Sequence, residues 1–345
     1  MNFRTSIGSV ALLALAGASG LVAQDLNGAG ATFPNPIYQK WSSEYADKTG
    51  VKVNYQSIGS GGGIKQLQEQ TVDFGASDAP MSEAEMASAK GGAVLHFPTV
   101  LGAVVITYNV PELKAPLRLT GEALADIFLG KITKWNDARI ASLNPGVKLP
   151  STDVLVVHRS DGSGTTYIFS DYLTAVSEPW KSGPGKGKDL QWPVGLGGKG
   201  NDGVAGQVKQ TPGAIGYVEL AYARQNKLAY AELKNAAGKF VAPTIETTTA
   251  AAAAAAKALP ANTDYRVSIV NAAAADAYPI ASFTWIMVYA NQPDATKWKK
   301  LHDFLHWALT DGQKDTEALD YAPLPAAMQQ ALVKRLGTVK ATATK

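Results

Sequence analysis

The chain has 345 residues and no cysteine, with 32 basic and 29 acidic side chains and a formal net charge of +3. At about 150 residues per domain, this length predicts two domains. A hydrophobic fraction of 46% and a charged fraction of 18% exclude a disordered chain, and the near balance of charge argues against a nucleic-acid binder. The lack of cysteine excludes disulfide scaffolds, cysteine zinc sites, thiol nucleophiles and a lipid-modified N-terminal cysteine.

The start of the chain has the pattern of a secretory signal peptide. Arg4 supplies a positive charge, Ile7–Ala18 is a short apolar stretch, and small residues near Ala18 and Ala23 precede a polar segment. The stretch is too short, and too rich in glycine and serine, for a stable transmembrane anchor. We therefore expect residues 1–23 to be a cleaved signal peptide and the mature protein to be exported.

Short strands and helices are predicted to alternate along the chain. The predicted strands are Val51–Ile58, Val72–Asp78, Leu95–Tyr108 and Asp153–His158. The predicted helices are Asn35–Tyr45, one from about Ile64, one from about Ser82, Gly121–Leu129 and one ending near Leu173. This alternation indicates an α/β fold with mostly parallel strands. Ligands of such sheets bind at the carboxyl ends of strands, so the strand-to-helix turns are the places to look for a site.

Two later segments carry less information. Pro184–Gly203 is rich in glycine and lysine and is predicted to be a surface loop. Ala250–Ala256 is an alanine tract that follows Thr247–Thr249, and it is predicted to be an exposed helix capped by those threonines. Neither segment suggests a function.

Several enzyme and metal motifs fail on spacing. Gly198-Lys199 lacks the hydroxyl residue that follows the lysine of a phosphate-binding P-loop. Ser60 and Ser163 lack the flanking glycines of a nucleophile elbow. His302 and His306 are one helical turn apart, but the glutamate of a zinc-protease helix is missing, so we interpret both as flanks of a packing face.

Hydroxyl residues stand at three predicted helix starts. Thr32-Phe33 precedes the first helix, Ser60 opens the second, and Ser163-Gly164-Thr165 opens the helix after the Asp153–His158 strand. Free backbone N–H groups and the helix dipole favour an anion at such positions. Serine and threonine are also the ordinary helix caps, so each position alone has a purely structural explanation. Three such positions in one α/β chain indicate a binding site for a tetrahedral oxyanion more specifically than any one of them does alone.

Three charged residues accompany these turns. Arg159 offers a planar pair of hydrogen bonds to an oxyanion, and Asp161 is placed to hold its guanidinium, although Asp161 also fits an ordinary Asp-Gly turn. Asp78 would repel an anion unless that anion carries a proton to donate, as phosphate does near neutral pH and sulfate does not. On spacing alone, Asp78 could equally be a residue that ends its strand and contacts no ligand.

The sequence closely resembles the periplasmic phosphate-binding proteins of phosphate-specific ABC importers, which are type II periplasmic binding proteins. The resemblance lies in the segments Leu26–Pro34, Ile58–Gly63, Val72–Pro80, Arg159–Thr165, Gly195–Gly203 and Pro212–Glu219, and it covers essentially the whole mature chain. By resemblance, the residues that contact phosphate are Thr32, Phe33, Ser60, Asp78, Arg159, Ser163, Gly164 and Thr165, with Asp161 bracing the arginine. His158 departs from the family, because close relatives often carry a second arginine there.

The resemblance also implies a two-lobed venus-flytrap fold with two crossover hinges. Lobe I would comprise residues 25–97 and 280–345, and lobe II residues 98–279, with crossovers near Phe97-Pro98 and Tyr278-Pro279. Phosphate bound between the lobes would stabilise the closed form.

The implied function is high-affinity, non-catalytic capture of inorganic phosphate in the periplasm and its delivery to the membrane permease of an ABC importer. We expect a monomer that needs no cofactor or metal and does not bind nucleic acid. A phosphoesterase that uses the same anion pocket, and a binding protein for sulfate or molybdate, remain the alternatives. No nucleophile with an adjacent base supports the first, and Asp78 opposes the second.

Overall fold

The computed structural model describes residues 25–256 and 264–342, so the predicted signal peptide lies outside the described residues. The strands are β1 (Leu26–Gly30), β2 (Val53–Ser57), β3 (Phe74–Ser77), β4 (Val94–Tyr108), β5 (Arg118–Leu119), β6 (Leu155–Arg159), β7 (Leu196–Gly198), β8 (Ala214–Glu219), β9 (Ala229–Tyr230), β10 (Glu232–Lys234), β11 (Phe240–Val241), β12 (Ala281–Tyr289), β13 (Asn291–Gln292) and β14 (Lys340–Ala341). The helices are α1 (Asn35–Thr49), α2 (Ser60–Gln68), α3 (Glu83–Ala87), α4 (Gly121–Phe128), α5 (Ala138–Ala141), α6 (Gly164–Val176), α7 (Glu178–Ser182), α8 (Gly200–Gln210), α9 (Leu220–Gln225), α10 (Ile245–Ala256), α11 (Ala295–Leu309) and α12 (Ala326–Leu336). Two 3₁₀ segments, Asp311–Asp315 and Glu317–Leu319, follow α11.

A mixed sheet of nine strands forms the centre of the fold, in the order β2-β1-β3-β12-β4-β8-β6-β7 with β9 beside β4. Its two flanks are parallel, since β1 runs parallel to β2 and β3, and β6 runs parallel to β7 and β8. The centre is antiparallel, because β12 pairs that way with β3 and β4, and β4 with β8. The prediction of mostly parallel strands is therefore correct for the flanks and wrong for the centre.

The long strand β4 joins the two flanks. It pairs with β12 up to Ala103 and with β8 from Val104 onwards. Nearly every residue of β4 is buried, as expected for a strand covered on both faces. The pairing with β12 shifts register between Thr284 and Trp285, opposite Pro98, whose missing N–H group is tolerated at such an irregularity.

The two segments with little sequence signal differ in part from their predictions. Pro184–Gly203 is not all surface loop, because its end forms β7 and the start of α8. Its glycines allow close packing there, since a Cβ on Gly198 would lie 2.8 Å from the Val204 nitrogen. The alanine tract is helical as predicted, but Ala251 and Ala252 are fully buried rather than exposed.

The threonines before the alanine tract are also placed differently from the prediction. The helix α10 already begins at Ile245, so Thr247–Thr249 lie inside it instead of capping it. Thr244 takes the capping position, where its hydroxyl accepts a 3.2 Å hydrogen bond from the Thr247 N–H.

None of the helices in the described part of the chain combines the length and the apolar composition needed to span a bilayer. Within residues 25–256 and 264–342, no three His, Cys, Asp or Glu side chains are grouped so that they could hold a metal ion. His302 and His306 stack at the surface, with ring centroids 6.4 Å apart, and the Trp298 ring meets His302 edge-on.

Candidate functional site

The predicted contact residues are brought together where the sheet's parallel strands end. Every one of them is buried, including Arg159 and Asp78, which are only 3% and 1% exposed. Gly164 lies directly against the opposite group, since a Cβ there would be 2.4 Å from the Ser60 Oγ and 2.6 Å from the Asp78 Oδ2. The Gly61 N–H donates a 2.8 Å hydrogen bond to the Gly162 carbonyl. The two halves of the site are therefore in contact.

Two helix starts, those of α2 and α6, lie in this region. Ser60 is the first residue of α2, and it follows Gly59, whose φ of 92° favours glycine. Ser163 caps α6 by accepting a 3.0 Å hydrogen bond from the Thr166 N–H. The structural explanation and the functional one thus coexist at Ser163. The N–H groups of Gly61 and Thr166 are used in bonds within the protein, and the other first N–H groups of each helix remain suited to an anion.

Arg159 ends β6 and is held rigidly by Asp161. Its Nε donates to Asp161 Oδ1 at 2.8 Å and its Nη2 donates to Oδ2 at 2.5 Å. The Gly200 N–H adds a 3.0 Å hydrogen bond to Oδ1. Desolvation raises the pKa of Asp161, but the hydrogen bonds and charge of Arg159 outweigh it and hold that pKa below its usual range. The charged guanidinium is therefore fixed in place before a ligand binds, and some of its N–H groups remain available for that ligand.

Asp78 follows β3 and, unlike Asp161, is held by two hydroxyl groups and not by an arginine. Its Oδ1 accepts a 2.8 Å hydrogen bond from the Thr284 hydroxyl, and its backbone N–H donates to the Ser60 Oγ at 3.1 Å. Burial raises the pKa of Asp78 to about 7, against the opposing effects of Thr284, Arg159 and Ser60. This carboxyl is therefore balanced between its protonated and ionised forms near neutral pH.

Thr32 and Phe33 lie between β1 and α1. The Thr32 carbonyl accepts a 3.2 Å hydrogen bond from the Asn35 N–H and a 2.5 Å hydrogen bond from the Tyr222 hydroxyl. The Phe33 carbonyl accepts a 2.6 Å hydrogen bond from the Tyr321 hydroxyl. These bonds fix the backbone that carries the Thr32 hydroxyl and the Phe33 N–H.

Three polar residues around the site are missing from the sequence prediction, namely Asn201, Tyr222 and Thr284. Asn201 contacts Thr32 across a sequence separation of 169 residues, and Thr284 contacts Asp78 across 206. No local pattern could have found them, although Asn201 lies within a segment of the family resemblance. His158 stacks on Trp192, with centroids 4.7 Å apart, and its Nδ1 lies 2.9 Å from the Arg159 carbonyl.

Comparisons with known proteins agree on one family. A model of the PBP superfamily domain matches residues 16–311. A phosphate-binding protein PstS of Xylella fastidiosa (strain 9a5c) is 50% identical over 302 residues, covering 87% of this chain and 81% of the relative. The protein of the same name from Pasteurella multocida (strain Pm70) is 49% identical over 306 residues, covering 88% of this chain and 87% of the relative.

Solved structures share the fold. A high-affinity periplasmic phosphate-binding protein solved with phosphate at pH 8.5 superposes with a TM-score of 0.72 at 23% identity, covering 89% of this chain and 92% of that one. A phosphate-binding protein from Stenotrophomonas maltophilia gives a TM-score of 0.69 at 22% identity, covering 91% and 94%. The fold is the two-lobed α/β fold of these proteins. The chain belongs to the PBP superfamily and, within it, to the family of phosphate-binding proteins PstS.

Proposed function

We propose that this chain binds inorganic phosphate in the buried site and passes it to the permease of an ABC importer without catalysing a reaction. The relatives named as phosphate-binding proteins support this function. The main observation in its favour is the position of Asp78, a buried carboxyl placed among groups that otherwise suit an anion. Such a carboxyl can accept the proton that phosphate carries, whereas sulfate offers none.

Our proposal for the ligand shell follows from the geometry of the site. The hydroxyl and N–H groups at the helix starts donate to the phosphate oxygens, Arg159 supplies the positive charge, and Asp78 accepts from the protonated oxygen. The proposed contacts are Thr32, Phe33, Ser60, Asp78, Arg159, Ser163, Gly164 and Thr165, with Asp161 behind the arginine. No cofactor or metal takes part in this scheme.

We propose the lobe division as residues 25–97 with 280–345, and 98–279. Ion pairs then join the lobes around the site, among them Glu85 with Lys188 at 2.7 Å and Arg224 with Asp320 at 2.9 Å. Because the ligand shell draws on both lobes, only the closed form completes it, and phosphate stabilises closure. The permease would then recognise the closed lobes.

The protein acts in the periplasm as a monomer, after removal of residues 1–23, and does not bind nucleic acid.

Titration of the purified mature chain tests this function. Tryptophan fluorescence or calorimetry should show saturable binding of phosphate, much weaker binding of sulfate, and no hydrolysis of a generic phosphoester. Turnover of the ester would favour a phosphoesterase instead. Equal affinity for phosphate and sulfate would contradict the role given to Asp78.

A further inference from the structure

Asn201 lies at the start of α8 and is fully buried between two site hydroxyls. Its Nδ2 donates to Thr32 Oγ1 at 2.7 Å and to Thr165 Oγ1 at 3.2 Å. Its Oδ1 accepts a 2.9 Å hydrogen bond from the Glu219 N–H. Because a backbone N–H can only donate, Glu219 fixes the carboxamide with its NH₂ group towards the threonines.

Each of these threonine hydroxyls accepts two hydrogen bonds. Thr32 Oγ1 also accepts from the Asn201 backbone N–H at 3.2 Å, and Thr165 Oγ1 also accepts from Arg159 Nη1 at 3.3 Å. A hydroxyl has two acceptor lone pairs and one donor proton. The acceptor capacity of both hydroxyls is therefore filled, and only their protons remain for a further bond.

We propose that Asn201 is a positioning residue that makes Thr32 and Thr165 obligate hydrogen-bond donors to the bound anion. This inference rests on the proposed capture of phosphate at this site. An unprotonated phosphate oxygen only accepts hydrogen bonds, so a hydroxyl that can only donate is matched to it before the ligand arrives. Without the carboxamide, each hydroxyl could turn its lone pair towards the anion.

The same carboxamide links ligand orientation to lobe closure. Under the proposed lobe division, Thr32 belongs to lobe I, whereas Asn201 and Thr165 belong to lobe II. The Thr32 hydroxyl thus has its acceptor capacity filled only when the lobes are closed. The site gains its full set of oriented donors in the same step that encloses the ligand.

A double-mutant cycle on phosphate affinity tests this role. In the wild-type background, Asn201→Ala should weaken phosphate binding about tenfold or more, because hydrogen bonds to a charged group are lost or misdirected. In a Thr32→Val, Thr165→Val background, the same change should leave the affinity within about twofold or improve it. A merely structural role for Asn201 would lower the affinity equally in both backgrounds, and that result would overturn the proposal.

Asn144→Ala is the matched control. Asn144 is also buried and bonds to the backbone of Arg118 and Ile140, away from the site, so its loss should leave phosphate affinity unchanged in both backgrounds. If Asn201→Ala does not fold, Asn201→Leu, which is uncharged and of similar size, is measured in the same two backgrounds. A loss confined to the wild-type background then supports the proposal, and an equal loss in both overturns it. Wild-type binding of phosphate with no effect of Asn201 contradicts only this inference, whereas no binding by the wild type contradicts the proposed function itself.

Discussion

Two buried ionisable groups, Arg159 and Asp78, face the site. Their surroundings stabilise the charge of Arg159 and disfavour that of Asp78. Arg159 is bound by both oxygens of Asp161, and the pKa of that partner is held below its usual range. Asp78 is held by the hydroxyl groups of Thr284 and Ser60 instead of a paired cation in the described part of the chain, and burial raises its pKa to about 7. A compensated charge stays fixed over a wide pH range, whereas an uncompensated one responds to pH. We therefore assign affinity to the Arg159 side and selectivity to the Asp78 side.

Loss of the arginine should have the largest effect. Arg159→Met removes the positive charge and leaves the carboxyl of Asp161 without its partner, so phosphate affinity should fall by about 2–5 kcal/mol. Sulfate affinity should fall in parallel, because this side of the site treats both anions alike. Calorimetry with both anions measures the two losses.

Arg139 provides a matched control for that change. It also forms a two-point ion pair with an aspartate two residues away, Asp137, but its side chain is 44% exposed. Arg139→Met should leave phosphate binding unchanged. A change in the phosphate-to-sulfate ratio of Arg159→Met would show that the two sides of the site do not divide affinity from selectivity.

The pH dependence of selectivity follows from the pKa of Asp78, which is raised to about 7. Below that pH the carboxyl is protonated and can donate to either anion. Above it, sulfate must bind together with a proton taken up by Asp78, so its affinity should fall about tenfold per pH unit. Phosphate carries its own proton and escapes this loss. The phosphate-to-sulfate ratio should therefore rise about 100-fold between about pH 7 and pH 9.

Calorimetry in buffers of different ionisation heats measures the proton count directly. At about pH 8.5 the uptake should be about one proton per sulfate bound and near zero for phosphate. A ratio that stays flat from about pH 6 to pH 9 would mean that Asp78 does not select by protonation.

Neutralising the carboxyl should remove this pH dependence. Asp78→Asn keeps the size of the side chain and can donate to sulfate at any pH, so at about pH 8 the phosphate-to-sulfate ratio should narrow about tenfold. Asp73→Asn, just before the start of β3, is the control; Asp73 pairs with Lys297 at 2.7 Å, away from the site. An unchanged ratio in Asp78→Asn would exclude the carboxyl as the selective group.

The parts of this molecule that could be predicted from the sequence are those in which the interacting residues lie close together in the chain. The strand-to-helix turns at Ser60 and Ser163 were predictable because strand, glycine turn and helix start lie within a few residues of one another. The Arg159–Asp161 pair was visible for the same reason. The resemblance to a family then supplied the two-lobed fold, which local patterns could not.

Contacts between distant segments explain what the sequence did not show. Asn201 and Thr284 reach the site only through the sheet topology, and the antiparallel centre arises because β12 returns between β3 and β4. The raised pKa of Asp78 likewise depends on burial by several segments. A carboxylate that merely accepts a proton from phosphate was predicted from its charge, but the pH at which it begins to discriminate required the structure.

Replacing Thr284 should shift the pH at which sulfate binding begins to weaken, and this shift is the smallest of the expected effects. Its hydroxyl donates to Asp78 Oδ1 at 2.8 Å and lowers the pKa of the carboxyl, against the larger effect of burial. Thr284→Val removes this donor at nearly constant volume, so the pKa should rise and the onset of sulfate rejection should move upward by less than about one pH unit. Thr284→Ser keeps the hydroxyl and should keep the wild-type onset. A downward shift in Thr284→Val would mean that the bond stabilises the protonated carboxyl, and the assignment of donor and acceptor between these two groups would have to be reversed.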